Sequence, residues 1–211
     1  DVLLDAYPEK AGNGLDFIAV TDHRTDAALS DPDFRHEHLI VIGGEEYGGS
    51  GHANIIGLKT HIPHEPEEGQ SQNERHNQAI EEAHAQGAIF SVNHPVDGNS
   101  WVWDTPDIDA IEVFNGPWAG FFSGSSAEEL EEDVSGAGVE NPFIRDAQEF
   151  GGTSHNEMAL RFWYNHLTAG RHVPVVGGSD RHMIAPAGLP TTYAQLGADG
   201  QPPIGPEDVV A

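Results

Sequence analysis

A chain of 211 residues is long enough for one domain with a sizeable core, and 35 acidic against 9 basic residues give it a net charge of −26. That balance disfavours nucleic-acid polymers and anionic membranes as partners, and the presence of only two lysines, Lys10 and Lys59, matches proteins adapted to high salt. The absence of cysteine excludes disulfides, thiolate metal sites and thiol nucleophiles, so any metal must be held by His, Asp or Glu.

The segment DVLLDAYPEK lacks the basic start and long apolar core of a signal peptide, and a helix is expected over residues 2–11, stopped near Gly12 and Gly14. LDFIAVTDH then reads as a buried strand ending in polar groups, and HLIVIGG and ANIIGL as two strands of a hairpin around YGGSG. Ser71 and Glu74 match a capping box for a helix over residues 73–86, stopped by Gly87. The strands AIFSVNHP and DAIEVFNG follow. Residues 117–156, rich in Gly, Ser and acid, read as an insertion near the active-site face with one short helix, SAEELEED. MALRFWYNHLTAG is an amphipathic helix, and HVPVVGGSD the strand after it. Alternation of this kind indicates a single α/β domain over residues 1–211 with a largely parallel sheet. No apolar run is long enough to span a bilayer, and a cytoplasmic location is expected unless a signal lies upstream. The oligomeric state is not legible.

Four times the chain runs apolar and then stops at Asp, Glu or His: VTDHR (20–24), GGEEYGGSGH (43–52), SVNHP (91–95) and VVGGSDRH (175–182). Carboxylates and imidazoles at the mouths of buried strands are costly unless something pairs with them, and they are the residue types that zinc, manganese or iron accept. Strand C-termini of a parallel α/β barrel converge on one face, which would gather His23, His94, Asn115, Asp180 and His182. With the hairpin turn centred on Gly49, Glu46 and His52 would face each other across the ladder, while Glu45 would point the other way. Asn115, ending DAIEVFNG, is the candidate for binding substrate. Arg24 and Arg181 adjoin candidate ligands and could stabilise charge building on a reacting group. Trp101, Trp103, Trp118, Phe121 and Phe122 are candidates for an apolar pocket, with core packing the alternative.

TDH, G-x-E, GH, NHP and GSDxH, in this order between about Gly14 and Thr192, resemble the ordered motifs of the PHP (polymerase and histidinol phosphatase) superfamily of metal-dependent phosphoesterases. LDFIAVTDH, GHANIIGL, VFNG and GGSDRH look more specifically like its CehA/McbA-like branch, which includes carbamate and carboxylic ester hydrolases. The resemblance implies a distorted (β/α)7 barrel, here apparently without its first strand and last helix, holding two or three divalent metals (Zn, Mn or Fe). It implies metal ligation by His23, Glu46, His52, His94, Asp180 and His182, with Glu46 bridging two metals, and it leaves Asp22 as a partner that orients a ligand. The family's opening His-x-His pair is absent; the one His-x-His present, His36 and His38, precedes its strand and so belongs at the other end of a barrel.

The expected function is metal-dependent hydrolysis of a small-molecule ester by metal-activated water. Phosphate mono- or diesters come first, and carboxylic or carbamate esters second. A catalytically inactive metal-binding module lacking the His-x-His motif is the alternative of another class.

Overall fold

The computed structural model describes residues 15–37, 39–49, 51–96, 100–116, 155–182, 187–188 and 190–193. The helix expected over residues 2–11 lies outside them, as do Trp118, Phe121, Phe122 and all of the expected insertion except His155 and Asn156. Six strands form one sheet in sequence order: β1 (Phe17–His23), β2 (Ile40–Gly48), β3 (His52–Ile56), β4 (Ile89–Val92), β5 (Ala110–Asn115) and β6 (Val175–Gly178). Helix α1 (Gln72–Gln86) connects β3 to β4, and α2 (His155–Thr168) precedes β6. A short 3-10 helix, Ala27–Ser30, is the only helical element between β1 and β2 among the described residues.

The sheet is mixed rather than largely parallel. β3 runs antiparallel to both β2 and β4, and the other adjacent pairs are parallel. The loop of residues 49–51 is too short for a crossover, so β2 can return only into an antiparallel neighbour. With β3 reversed, the C-terminal ends of the other five strands and the N-terminal end of β3 share one rim of the sheet. All the polar strand ends noted in the sequence therefore face the same side.

The sheet is curled into a half-barrel. In a flat six-stranded sheet the outer strands would lie about 24 Å apart, at about 4.8 Å per neighbouring pair. Yet His23, ending β1, and His182, just beyond β6, bring their ring nitrogens to 3.0 Å.

Alternation along the strands separates two chemistries. One face presents Tyr47, Ala53, Ile55, Phe90, Val92, Ile111 and Val113, which form the main core with Ala79, Ile80 and Ala83 of α1 and with Trp101. Each large apolar side chain buried there contributes about 1.5–3 kcal/mol. Of the three tryptophans considered for a pocket, the two described ones pack with this core, Trp101 fully buried within it and Trp103 against it. The opposite face carries the register row His23, Glu46, Asn54 and Ser91. Apolar packing on the first face fixes which side chains are turned toward the second.

Local signals position the elements as expected. Ser71 Oγ accepts from the Glu74 amide at 3.2 Å, and Glu74 Oε2 accepts from the Ser71 amide at 2.8 Å, which completes the capping box. Gly87 ends α1 with φ 76°, in the left-handed conformation that glycine adopts without a Cβ clash. No helix among the described residues is long and apolar enough to cross a membrane.

Candidate metal centre

Glu46 is the hub of the rim. It is buried, and its two oxygens address different imidazoles: Oε2 lies 3.1 Å from His23 Nδ1, while Oε1 lies 3.1 Å from His52 Nδ1 and 3.3 Å from His94 Nε2. His182 joins through its 3.0 Å contact with His23. Two groups with metal-ligand spacing result, His23–Glu46–His182 and Glu46–His52–His94, sharing one carboxylate. Two nitrogens each about 2.0–2.1 Å from a tetrahedral zinc would be about 3.3 Å apart, so the separations of the inner group suit ligands of a common cation, whereas the outer group's two short contacts use different nitrogens of His23 and its three donor atoms lie within 4.8 Å of one another.

The two groups differ in access. His23 and His182 are 48% and 59% exposed, whereas His52 and His94 are 16% and 7% exposed. The inner group is walled by protein, and the outer one opens to solvent.

Burial alone would raise the Glu46 pKa, but hydrogen bonds and charge interactions with His52 and His94 outweigh it and hold the carboxyl far below the usual range. The hub is therefore an anion at any physiological pH. Glu45, next in sequence, points to the other face, where its buried carboxylate accepts from the Ile62 amide at 3.0 Å and meets His61 Nδ1 at 2.6 Å. Strand alternation selects Glu46, as the sequence suggested.

The hairpin register differs from expectation. Gly48 pairs with His52 and Glu46 with Asn54, because the connecting loop occupies residues 49–51 rather than centring on Gly49. Glu46 and His52 are thus diagonal neighbours on one face rather than directly opposed, and their side chains span the diagonal.

Asp180 lies beside His182, with its Oδ1 3.2 Å from Nδ1. It is tied to Asn115, whose Nδ2 donates to Asp180 Oδ2 at 3.2 Å and to Glu112 Oε2 at 3.1 Å. Asn115, the expected substrate-binding residue, is only 1% exposed, and its amide nitrogen is engaged by these two carboxylates. Asp22, expected to orient a ligand, alternates to the face opposite His23, is exposed, and makes no hydrogen bond to any proposed ligand among the described residues.

Arg24 directly follows β1 at the mouth of the site, its amide donating to the Glu46 carbonyl at 2.9 Å. Arg181 lies between Asp180 and His182 and is half-buried. His36 precedes β2 and stands at the opposite end of the sheet from the site, and His38 is outside the described residues.

Among the described residues, the non-glycine positions with positive φ are Arg24 (54°), His94 (22°) and Asp180 (43°). Each such residue costs on the order of 1–3 kcal/mol, and all three stand at this rim.

Glu112 escaped the sequence reading. It is 3% exposed and lies on β5, where its Oε2 also accepts from the His94 amide at 3.1 Å. An acid between Ile111 and Val113 in DAIEVFNG was the available signal, the same apolar-run-plus-carboxylate cue that flagged the other strands. The chain matches no protein-family model, and no curated protein matches it.

Proposed function

We propose that this protein is a metal-dependent hydrolase of the PHP kind, acting on phosphate mono- or diesters at the rim of a distorted barrel. The observation that carries the reading is Glu46: one buried carboxylate whose two oxygens address imidazoles from β1, β3 and just beyond β4. One carboxylate with imidazoles at ligand spacing on both of its oxygens is a donor set that divalent metals accept.

In this reading His52 and His94 with Glu46 hold an inner divalent cation, and His23 and His182 with Glu46 an outer one, with Asp180 beside it. Zinc, manganese and iron all accept this nitrogen and oxygen donor set. Such cations, when bound, supply Lewis-acid polarisation of a substrate oxygen and make a water molecule more acidic. The chain supplies the rest. Glu46 fixes the spacing between the two groups, and the buried imidazoles of His52 and His94 exclude bulk water from the inner one. Arg24 and Arg181 adjoin candidate ligands in sequence, where a guanidinium can stabilise charge on phosphoryl oxygens.

The test is turnover of nitrophenyl phosphate and nitrophenyl acetate by metal-loaded protein, with EDTA controls. EDTA-sensitive phosphate hydrolysis is expected. Turnover of acetate alone would assign carboxylic or carbamate esters, and metal uptake without turnover of either would assign a binding module.

A further inference from the structure

We infer that Glu112 is a positioning residue, aiming His94 and Asp180 at the cluster by gripping the backbone of one and, through Asn115, the carboxylate of the other. The inference rests on the metal-binding reading of the Glu46 cluster.

Several independent features converge on this one carboxylate. Its Oε2 accepts both the His94 amide and Asn115 Nδ2, each at 3.1 Å. The same Asn115 nitrogen reaches Asp180 Oδ2 at 3.2 Å. His94 and Asp180 are two of the three non-glycine residues with positive φ among those described. Positive φ is costly for residues with a Cβ, and Glu112 is the group that connects to both, through the amide of one and the side chain of the other.

The surroundings are shaped for it. The β5–β6 register shifts between Glu112 and Phe114, and this irregularity lets Glu112 and Asn115, three residues apart, turn to the same side. Phe114 is correspondingly 49% exposed. Asn156 of α2 then clamps Asn115 at both backbone groups: its Oδ1 accepts from the Asn115 amide and its Nδ2 donates to the Asn115 carbonyl, each at 3.2 Å. On β6, a Cβ at Gly178 would stand 2.2 Å from Glu112 Oε1, so the absence of a side chain there is what admits the carboxylate. Three strands and a helix are arranged around a group that touches no candidate ligand side chain directly. Partners of this kind commonly govern metal affinity by factors of about 10–100 when removed.

The experiment strips the full chain with EDTA and titrates it with cobalt(II), following affinity and the visible spectrum of the bound ion, in the parent, Glu112→Met and Gly178→Ala. Glu112→Met keeps much of the volume but removes the oxygen that accepts from both the His94 amide and Asn115. Gly178→Ala leaves the carboxylate intact and displaces it. Both are expected to bind cobalt at least about tenfold more weakly with an altered spectrum, while the circular dichroism of metal-free Gly178→Ala stays that of the parent. Parent-like affinity and spectrum in Gly178→Ala, or in a folded Glu112→Met, would overturn the inference and leave the metal site standing. A parent protein that takes up no cobalt would instead remove the metal-binding reading beneath it.

Discussion

His23 and His182 come from opposite edges of the sheet and stand 3.0 Å apart, nitrogen to nitrogen. Both rings are exposed, so nothing apolar forces them together, and a shared cation would join the two edges of the half-barrel. Metal should therefore stabilise the fold as well as the site. At a free concentration about 100 times the dissociation constant, binding adds about 2.7 kcal/mol. For a chain of this size that is a rise of about 5–10 °C in melting temperature. Thermal melts with zinc or manganese against EDTA measure it, and His182→Ala should lose part of the gain. Identical melts with and without metal would show that the two imidazoles hold no cation.

Glu46 joins both groups of ligands, so its removal should be more damaging than loss of any single imidazole. Glu46→Gln is expected to lower metal stoichiometry in both groups and to cut turnover by roughly a hundredfold or more, equivalent to about 2.7 kcal/mol of barrier. His94→Ala and Asp180→Ala should also cut turnover strongly, though by less than Glu46→Gln, while circular dichroism remains that of the parent. Asp22→Ala, whose side chain faces the other way, should turn over much like the parent. Elemental analysis and initial rates on the same preparations separate lost metal from lost chemistry. Near-parent rates in both His94→Ala and Asp180→Ala would place the site elsewhere.

Much of this centre is legible because its residues end apolar runs; the preference for Glu46 over Glu45 rests on alternation together with a hairpin placement opposite His52, and only the alternation matches the observed register. What failed to show were features that depend on local irregularity. The hairpin register turned on whether the loop holds residues 49–51, a one-residue matter that no side-chain pattern specifies. A strand-terminal position places Asn115 at the rim, but its enclosure by the β5 irregularity and Asn156 has no mark in the residue pattern. Asp22 was drawn to the site by its neighbour His23, although adjacent strand residues face opposite ways. The mixed sheet was hidden for a related reason: helix α1 between β3 and β4 has the look of a parallel crossover, but the preceding hairpin had already reversed the chain.

The capping box of α1 offers a test of the fold free of the metal chemistry. Ser71→Ala removes the acceptor of the Glu74 amide and leaves that donor at the helix start without its partner. The expected cost is about 1 kcal/mol, or about 2–4 °C in the melting temperature of a domain this size. Because α1 packs on the face away from the site, cobalt affinity should not change. A fall in affinity matching the fall in stability would mean that α1 and the site unfold as one unit.

In metal-free protein, Glu112 should make stability depend on pH in an unusual direction. Burial pushes its carboxyl up to about 7, although His94, Asn115 and the His94 amide favour the ionised form. The folded state then holds a proton that the unfolded chain releases near the ordinary value of 4.5, so stability falls as pH rises between about 4.5 and 7 and is level above. The loss amounts to roughly 3 kcal/mol at most, at about 1.4 kcal/mol for each pH unit of displacement. Glu46, depressed rather than raised, contributes at all pH values above the ordinary carboxylate range and adds no slope in this window. His64 and His166 are both pushed down by burial and give the opposite slope near the ordinary imidazole value of 6.5. The quantity to read is accordingly the difference between parent and Glu112→Gln in urea unfolding from pH 4.5 to 8 with EDTA present. That difference should shift steadily in favour of the glutamine variant as pH rises, and should shrink when zinc is added, because a nearby cation favours the ionised carboxylate. A pH-independent difference would mean that Glu112 titrates alike in the folded and unfolded chain.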